Sequence, residues 1–232
     1  MKSLFFYFLA FLIYAPSVYS QGDFAYQQPY RENILLDQEI VSGGYYVDPS
    51  KNIEGHPYFE YRSFELGQIT INGLQYKDVP LLYDIWNDEL LTFQPVYKKK
   101  ILIRADKIDE FQLANKRHFI RVDENPGYIH HRNGIYELLE EGKINLLAKH
   151  FKRTKDKRDV SKFSDVFYEK TDYFLRKGDD IEVIRRKKQA REFLDMDKKD
   201  FRHAIRGERL SFKSQREDFL KRLVQYINQE KP

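Results

Sequence analysis

The side chain best suited to proton chemistry in this sequence is Asp84. It sits in VPLLYDIW, residues 79–86, where every neighbour is apolar or aromatic. A carboxylate taken out of water costs free energy unless it is paired or hydrogen-bonded. Burial also raises its pKa toward the range of a general acid. Glycoside hydrolysis would need a second carboxylate about 5–9 Å away. Asp88 and Glu89 read as turn residues, and Asp106, Asp109 and Glu110 lie in a polar stretch. Spacing along the chain places none of them beside Asp84. In the structural alternative, Asp84 accepts bonds from a backbone amide, an arginine or a tyrosine, or is exposed at a strand end. That reading is favoured, because structural networks also trap carboxylates.

The other chemistry-bearing residues are more dispersed. His130 and His131 are adjacent, and consecutive strand residues point to opposite faces, so a strand there would keep them from sharing one metal ion. His56, His118, His150 and His203 are scattered, with neither HExxH nor an i, i+4 pair. No metal site and no cofactor is expected. Tyr58, Tyr61, Tyr76 and Tyr83 could form a sugar-stacking platform, with His130 a further ligand-binding candidate. Tyrosines at such spacing are more often cross-strand pairs. Gly43-Gly44 before Tyr45-Tyr46 reads as a turn into an aromatic strand and not as a phosphate cradle. The sequence carries no nucleophile elbow, Walker loop or dinucleotide fingerprint.

The basic run RRKKQAR contributes Arg185, Arg186, Lys187, Lys188 and Arg191. Between residues 185 and 222 there are fourteen Lys or Arg against seven Asp or Glu, while the whole chain is only +4. The remainder is therefore slightly acidic. Such a run can grip phosphates, but its commonest meaning is a solvated helix face. In an exported protein the anions it meets are lipid headgroups, acidic glycans or another envelope protein, not nucleic acid.

Export is expected from the first twenty residues. Lys2 precedes an apolar run from Leu4 to Tyr14, followed by Pro16 and the small-residue pattern ending at Ser20. Cleavage after Ser20 is expected. The run is shorter than the roughly 20 apolar residues a spanning helix needs. With no cysteine in the sequence, disulfides, thiolate chemistry and lipoprotein acylation are ruled out. A secreted chain without disulfides suits a bacterial periplasm, or a face of the outer membrane, better than an oxidising eukaryotic route. It must be held together by its core.

The elements that would position these residues follow from periodicity. Residues 21–33 form a polar lead-in. From 34 to 184, short alternating stretches are separated by turn pairs: Asn72-Gly73, Asn87-Asp88, Asn133-Gly134, Glu141-Gly142 and Gly178-Asp179. This predicts a mainly β fold, an antiparallel meander that could curve into a barrel. On the strand 79–86, Val79, Leu81, Tyr83 and Ile85 share one face and Leu82, Asp84 and Trp86 the other. Both faces are largely apolar, so both should be covered. Residues 152–165 lack turn chemistry and are highly charged, which predicts an exposed loop. Residues 185–232 switch to helical spacing, predicting about three helices packed on the sheet. Ser214 to Glu217 reads as a capping box, and Phe219, Leu220, Leu223, Val224 and Ile227 form the apolar stripe of the last helix.

Several segments together resemble a family of secreted proteins of Bacteroidota. They include GHPYF (55–59), GQITINGLQYKDVPLLYDIWNDEL (67–90), NPGYIH (125–130), GIYELLEEGKINLLAKH (134–150) and YEKTDYFLRKGDDIEVI (168–184). The terminal EDFLKRLVQYIN completes the set. The resemblance covers most of the chain after the leader. It implies an export signal and a sheet followed by helices, and brings no activity, cofactor or catalytic residue. The leading expectation is a non-enzymatic binding or structural module of the cell envelope. The alternatives are an envelope hydrolase using Asp84 with a second carboxylate, and a carrier of a lipid or small ligand.

Overall fold

The computed structural model describes residues 39–95, 97–158, 162–206 and 210–230. The expected signal, the lead-in and residues 34–38 lie outside them. A two-residue strand, β1 (Ile53–Glu54), comes first. The strands β2 (Glu65–Ile71), β3 (Leu74–Asp84), β4 (Glu89–Gln94) and β5 (Lys99–Leu102) then run antiparallel in turn. Asn72 and Gly73 join β2 to β3 with φ of 49° and 77°, the left-handed pair that a tight hairpin demands. A second antiparallel series follows: β6 (Ile108–Gln112), β7 (His118–Arg121), β8 (Ile135–Glu140), β9 (Asn145–Asp156), β10 (Asp165–Lys177) and β11 (Asp180–Val183).

The eleven strands of the described residues belong to one sheet, in the order β1-β10-β9-β8-β7-β6-β2-β3-β4-β5, with β11 also on β10. The fold is mainly β with C-terminal helices, as expected, and the antiparallel meander departs from consecutive order at two joints. After β5 the chain makes a short 3-10 turn at Ala105–Lys107, and β6 crosses to β2, placing Ile69 opposite Phe111. β1 runs parallel to β10, with Ile53 opposite Asp165, so the sheet is mixed. Turn chemistry fixes only the neighbours that a short hairpin joins. Pairings across longer connections depend on which apolar faces can be covered together.

The sheet is strongly curled but does not close into a barrel. Its curl brings the β3–β4 turn to β9, where Lys152 N donates to Ile85 O at 3.1 Å. Residues 57–59 lie along the end of β3, with Ile85 N donating to Pro57 O and Phe59 N to Tyr83 O. Inside the curl, Phe59, Tyr83, Phe111 and Phe119 pack ring to ring, with centroids 4.9–6.4 Å apart. Edge-on and offset pairs of this kind add to the burial of apolar area. The second half of β3, from Val79, is covered on both faces as expected, since Leu81, Leu82, Tyr83 and Asp84 are all buried, while its first half is largely exposed.

Three helices follow: α1 (Lys187–Phe193), α2 (Lys198–Ala204) and α3 (Arg216–Glu230). Phe219, Leu220, Leu223 and Val224 of α3 are fully buried in one cluster with Leu146 of β9 and Leu175 of β10. The Glu217 side chain of the expected capping box is engaged by other side chains instead. Gln215 accepts from Ser211 N just ahead of the helix, while Glu217 accepts from Tyr173 OH at 3.2 Å and Lys221 Nζ at 2.8 Å.

Two further expectations are corrected. Residues 152–156 continue β9 instead of forming a loop. Lys152 is buried there, with its ammonium donating to Tyr58 O at 2.5 Å. Residues 128–132 form successive turns between β7 and β8, so His130 and His131 are not strand residues.

Candidate functional site

Asp84 ends β3 and caps the turn that follows it. Its Oδ1 accepts from Trp86 N at 2.7 Å and Asn87 N at 3.0 Å. Its Oδ2 accepts from Tyr46 OH at 2.8 Å and Asn87 Nδ2 at 3.0 Å. The residue has no solvent exposure. Loss of hydration raises its pKa, and these four donors pull it back. Glu89 faces it across the hairpin and is itself raised by burial and by the charges of Asp84 and Asp88. With four donors on its two oxygens, Asp84 has the geometry of an Asx turn.

The four tyrosines do not share a surface. Tyr83 is sealed in the aromatic core, and its hydroxyl donates to Asp88 Oδ1 at 2.6 Å. Tyr58 is buried, donating to Asp48 and accepting from Lys100 Nζ at 2.7 Å. Tyr76 is half-buried in β3, and Tyr61 is exposed. Tyr58 borders an open cleft of about 580 Å³ whose other walls include Glu54, His56, Arg62 and Phe167. Burial and the nearby cations Lys152 and Arg62 hold the His56 pKa down at about 4.

Sequence reading passed over a buried ion pair. Lys149 of β9 donates to Asp88 Oδ2 at 2.6 Å and to Ile135 O at 2.7 Å, and both charged side chains are almost wholly enclosed. A second buried centre joins Glu137, His150 and Arg117: His150 Nε2 lies 2.7 Å from Glu137 Oε2, and Arg117 pairs with the same carboxylate. The available signal was a lysine and a histidine inside the apolar stretch LLAKHF.

The residues 130 and 131 diverge. The His131 imidazole bonds Tyr136 OH at 3.0 Å and Asp123 O at 3.1 Å, pinning the loop. The His130 ring stacks on Phe151, with centroids 4.0 Å apart and planes 14° from parallel. It looks into a hollow of about 310 Å³ bordered by Tyr128, Arg153, Lys170, Asp172 and Arg185. Among the described residues, no three His, Asp or Glu side chains converge as metal ligands.

The basic run is therefore divided. Arg185 reaches the His130 hollow, and Arg186 stands at the exposed N-cap of α1. Lys187, Lys188 and Arg191 face Lys198 and Arg202 across a groove of about 580 Å³ between α1 and α2. Phe201 and Ile205 form its apolar floor. Lys188 pairs with Glu192 at 3.5 Å, an exposed contact of little strength. Of the other nearby acids, Asp195, Asp197 and Asp200, none lines the groove, and Asp197 is turned into the α2 N-terminus, accepting from Lys199 N and Asp200 N. The groove thus keeps a cationic rim above an apolar base. No described helix is long and apolar enough to cross a membrane.

The chain matches no protein-family model, no curated protein and no solved structure.

Proposed function

We propose that the chain is a non-enzymatic binding module of the cell envelope, and that the α1–α2 groove is the face with which it meets an anionic lipid surface. The observation that carries this reading is the groove itself, five cations set around Phe201 and Ile205. A solvated basic face needs no apolar floor; an amphiphile uses both features. Each lysine or arginine near an anionic membrane contributes about 1 kcal/mol of attraction. A shallow apolar floor adds contact with the upper acyl chain without requiring insertion. Export, expected from the leader, would bring the groove to such a surface.

The competing readings draw less support. A hydrolase built on Asp84 would need a free carboxylate oxygen, and both oxygens are held by donors. A carrier would need a continuous apolar cavity, while the inner face of the curl is filled by Phe59, Tyr83, Phe111 and Phe119.

The test is co-sedimentation of the exported, processed chain with vesicles. Retention on phosphatidylglycerol vesicles and none on phosphatidylcholine is expected, with release by high salt. Reversing charge at Lys187, Arg191 and Arg202 together should abolish retention. Equal binding to both vesicle types, or retention unchanged in that variant, would overturn the reading. Selective capture by an acidic glycan in place of lipid would assign the face to the other polyanion of the envelope and defeat the lipid proposal.

A further inference from the structure

We propose that the hollow between the 126–132 loop and strands β9 and β10 is a binding site for a phosphate- or sulfate-type oxyanion, held by Arg153, Lys170 and Arg185 beside His130. It is separate from the α1–α2 groove and does not depend on the role given to that groove.

The site is preformed. Two successive turns shape its loop, with His131 N donating to Tyr128 O at 3.0 Å and Gly134 N to His131 O at 2.8 Å. The loop is pinned from beneath by His131, as described above, and by Tyr128. The Tyr128 ring meets Phe174 edge-on at 4.8 Å, and its hydroxyl donates to Asp172 at 3.0 Å. Phe151, itself buried, forms a flat base under His130. The Arg153 guanidinium lies 5.6 Å from the centre of the same ring and donates to His130 Nε2.

The charge balance favours an anion. Three permanent cations border the hollow against one acid, Asp172, whose carboxylate already accepts from Tyr128. Accepting an arginine N–H at Nε2 requires His130 to be neutral. Burial holds its pKa below the ordinary value, followed by the charges of Arg153 and Arg132, with Lys149 acting the same way and Asp172 opposing them. An oxyanion at Arg153 would reverse that field: the guanidinium turns its donors to the anion, and His130 gains a partner for a second N–H. His130 then takes up a proton on binding. Affinity for an anion of fixed charge must therefore rise as pH falls from the bound-state pKa toward the lower free-state pKa. The volume is at the lower end of the range of about 300–1,000 Å³ common for small-ligand sites. It suits a single anionic group with part of whatever bears it.

The experiment is titration calorimetry of the exported chain with inorganic sulfate, at ionic strength matched with chloride. Sulfate keeps its charge across the interval from about pH 7.5 to about pH 5.5 that brackets histidine. Saturable one-site binding is expected, tightening several-fold toward the acid end. The double substitution Arg153→Gln and Arg185→Gln should weaken it by about tenfold or more, the scale of one charge-assisted hydrogen bond. His130→Gln should retain binding at the alkaline end and lose the pH dependence. Both arginines are exposed, and an unchanged thermal transition will show that these variants fold. Competition between sulfate and phosphatidate vesicles would place the anion on a lipid headgroup; competition by inorganic phosphate alone would make it a free anion. Absence of saturable binding, affinity unaffected by the arginine substitutions, or a pH profile that survives His130→Gln would overturn the proposal.

Discussion

Lys149 and Asp88 show how single residues set the interior of this sheet. Both are nearly inaccessible, and their attraction must offset the cost of removing two charges from water. Desolvation lowers the Lys149 pKa, and the Asp88 carboxylate opposes that shift. Tyr83 and the Ile135 carbonyl complete the coordination, so no polar atom of the pair is stranded. Lys149→Met would leave Asp88 charged and uncompensated. The expected loss is about 3–5 kcal/mol of folding stability, the usual cost of breaking a buried pair from one side. Combining it with Asp88→Asn should recover a large part, because the orphaned charge is gone. Urea denaturation of the two variants checks this, and equal losses in both would show that the pair is held by packing and not by charge.

At the level of elements, local chemistry was readable and distant pairing was not. Asn72-Gly73, the two covered faces of the second half of β3 and the α3 stripe were all legible, because each depends on residues within a few positions of one another. The β2–β6 pairing and the parallel β1–β10 contact depend on how the sheet curls, which no short spacing encodes. Lys152 reads as loop for the same reason: its buried partner, the Tyr58 carbonyl, is far away in sequence. His130 and Arg185 were each visible as candidates, but their meeting in one hollow required the fold. The element that makes this hollow is the β7–β8 loop, closed by Gly134. Gly134 has φ of 76°, and an added Cβ would collide with the Val122 carbonyl. Gly134→Ala should cost about 1 kcal/mol or more, since neither the left-handed conformation nor the contact tolerates a side chain. Hydrogen exchange should show the loss as faster opening at Tyr128–Arg132, with β3 and β4 unchanged.

Across the described residues, β9 and β10 contribute side chains to two apolar clusters, one shared with the helices and one on the opposite face. Leu146 and Leu175 lie under α3, while Leu147 and Phe174, the next residues on the same two strands, pack with Tyr136 on the opposite side. β9 and β10 thus hold the helices on one face and the β7–β8 loop on the other. Loss of α3 would expose the buried side chains of both strands, and loss of the strands would leave the α3 stripe uncovered. Cooperative unfolding of sheet and helices follows. The sequence supplies a direct probe: its single tryptophan, Trp86, sits in the β3–β4 turn with its ring edge-on to Phe167 at 5.4 Å, whereas the helical signal comes mainly from α1 to α3. Trp86 fluorescence and far-ultraviolet helical dichroism should therefore report one urea midpoint. Leu223→Ala, which opens a cavity under α3, should lower both midpoints equally, at a cost of about 2–5 kcal/mol. Helical signal lost ahead of tryptophan fluorescence would mean that the helices are a separate unit resting on an independently stable sheet, and the shared strands would not couple them.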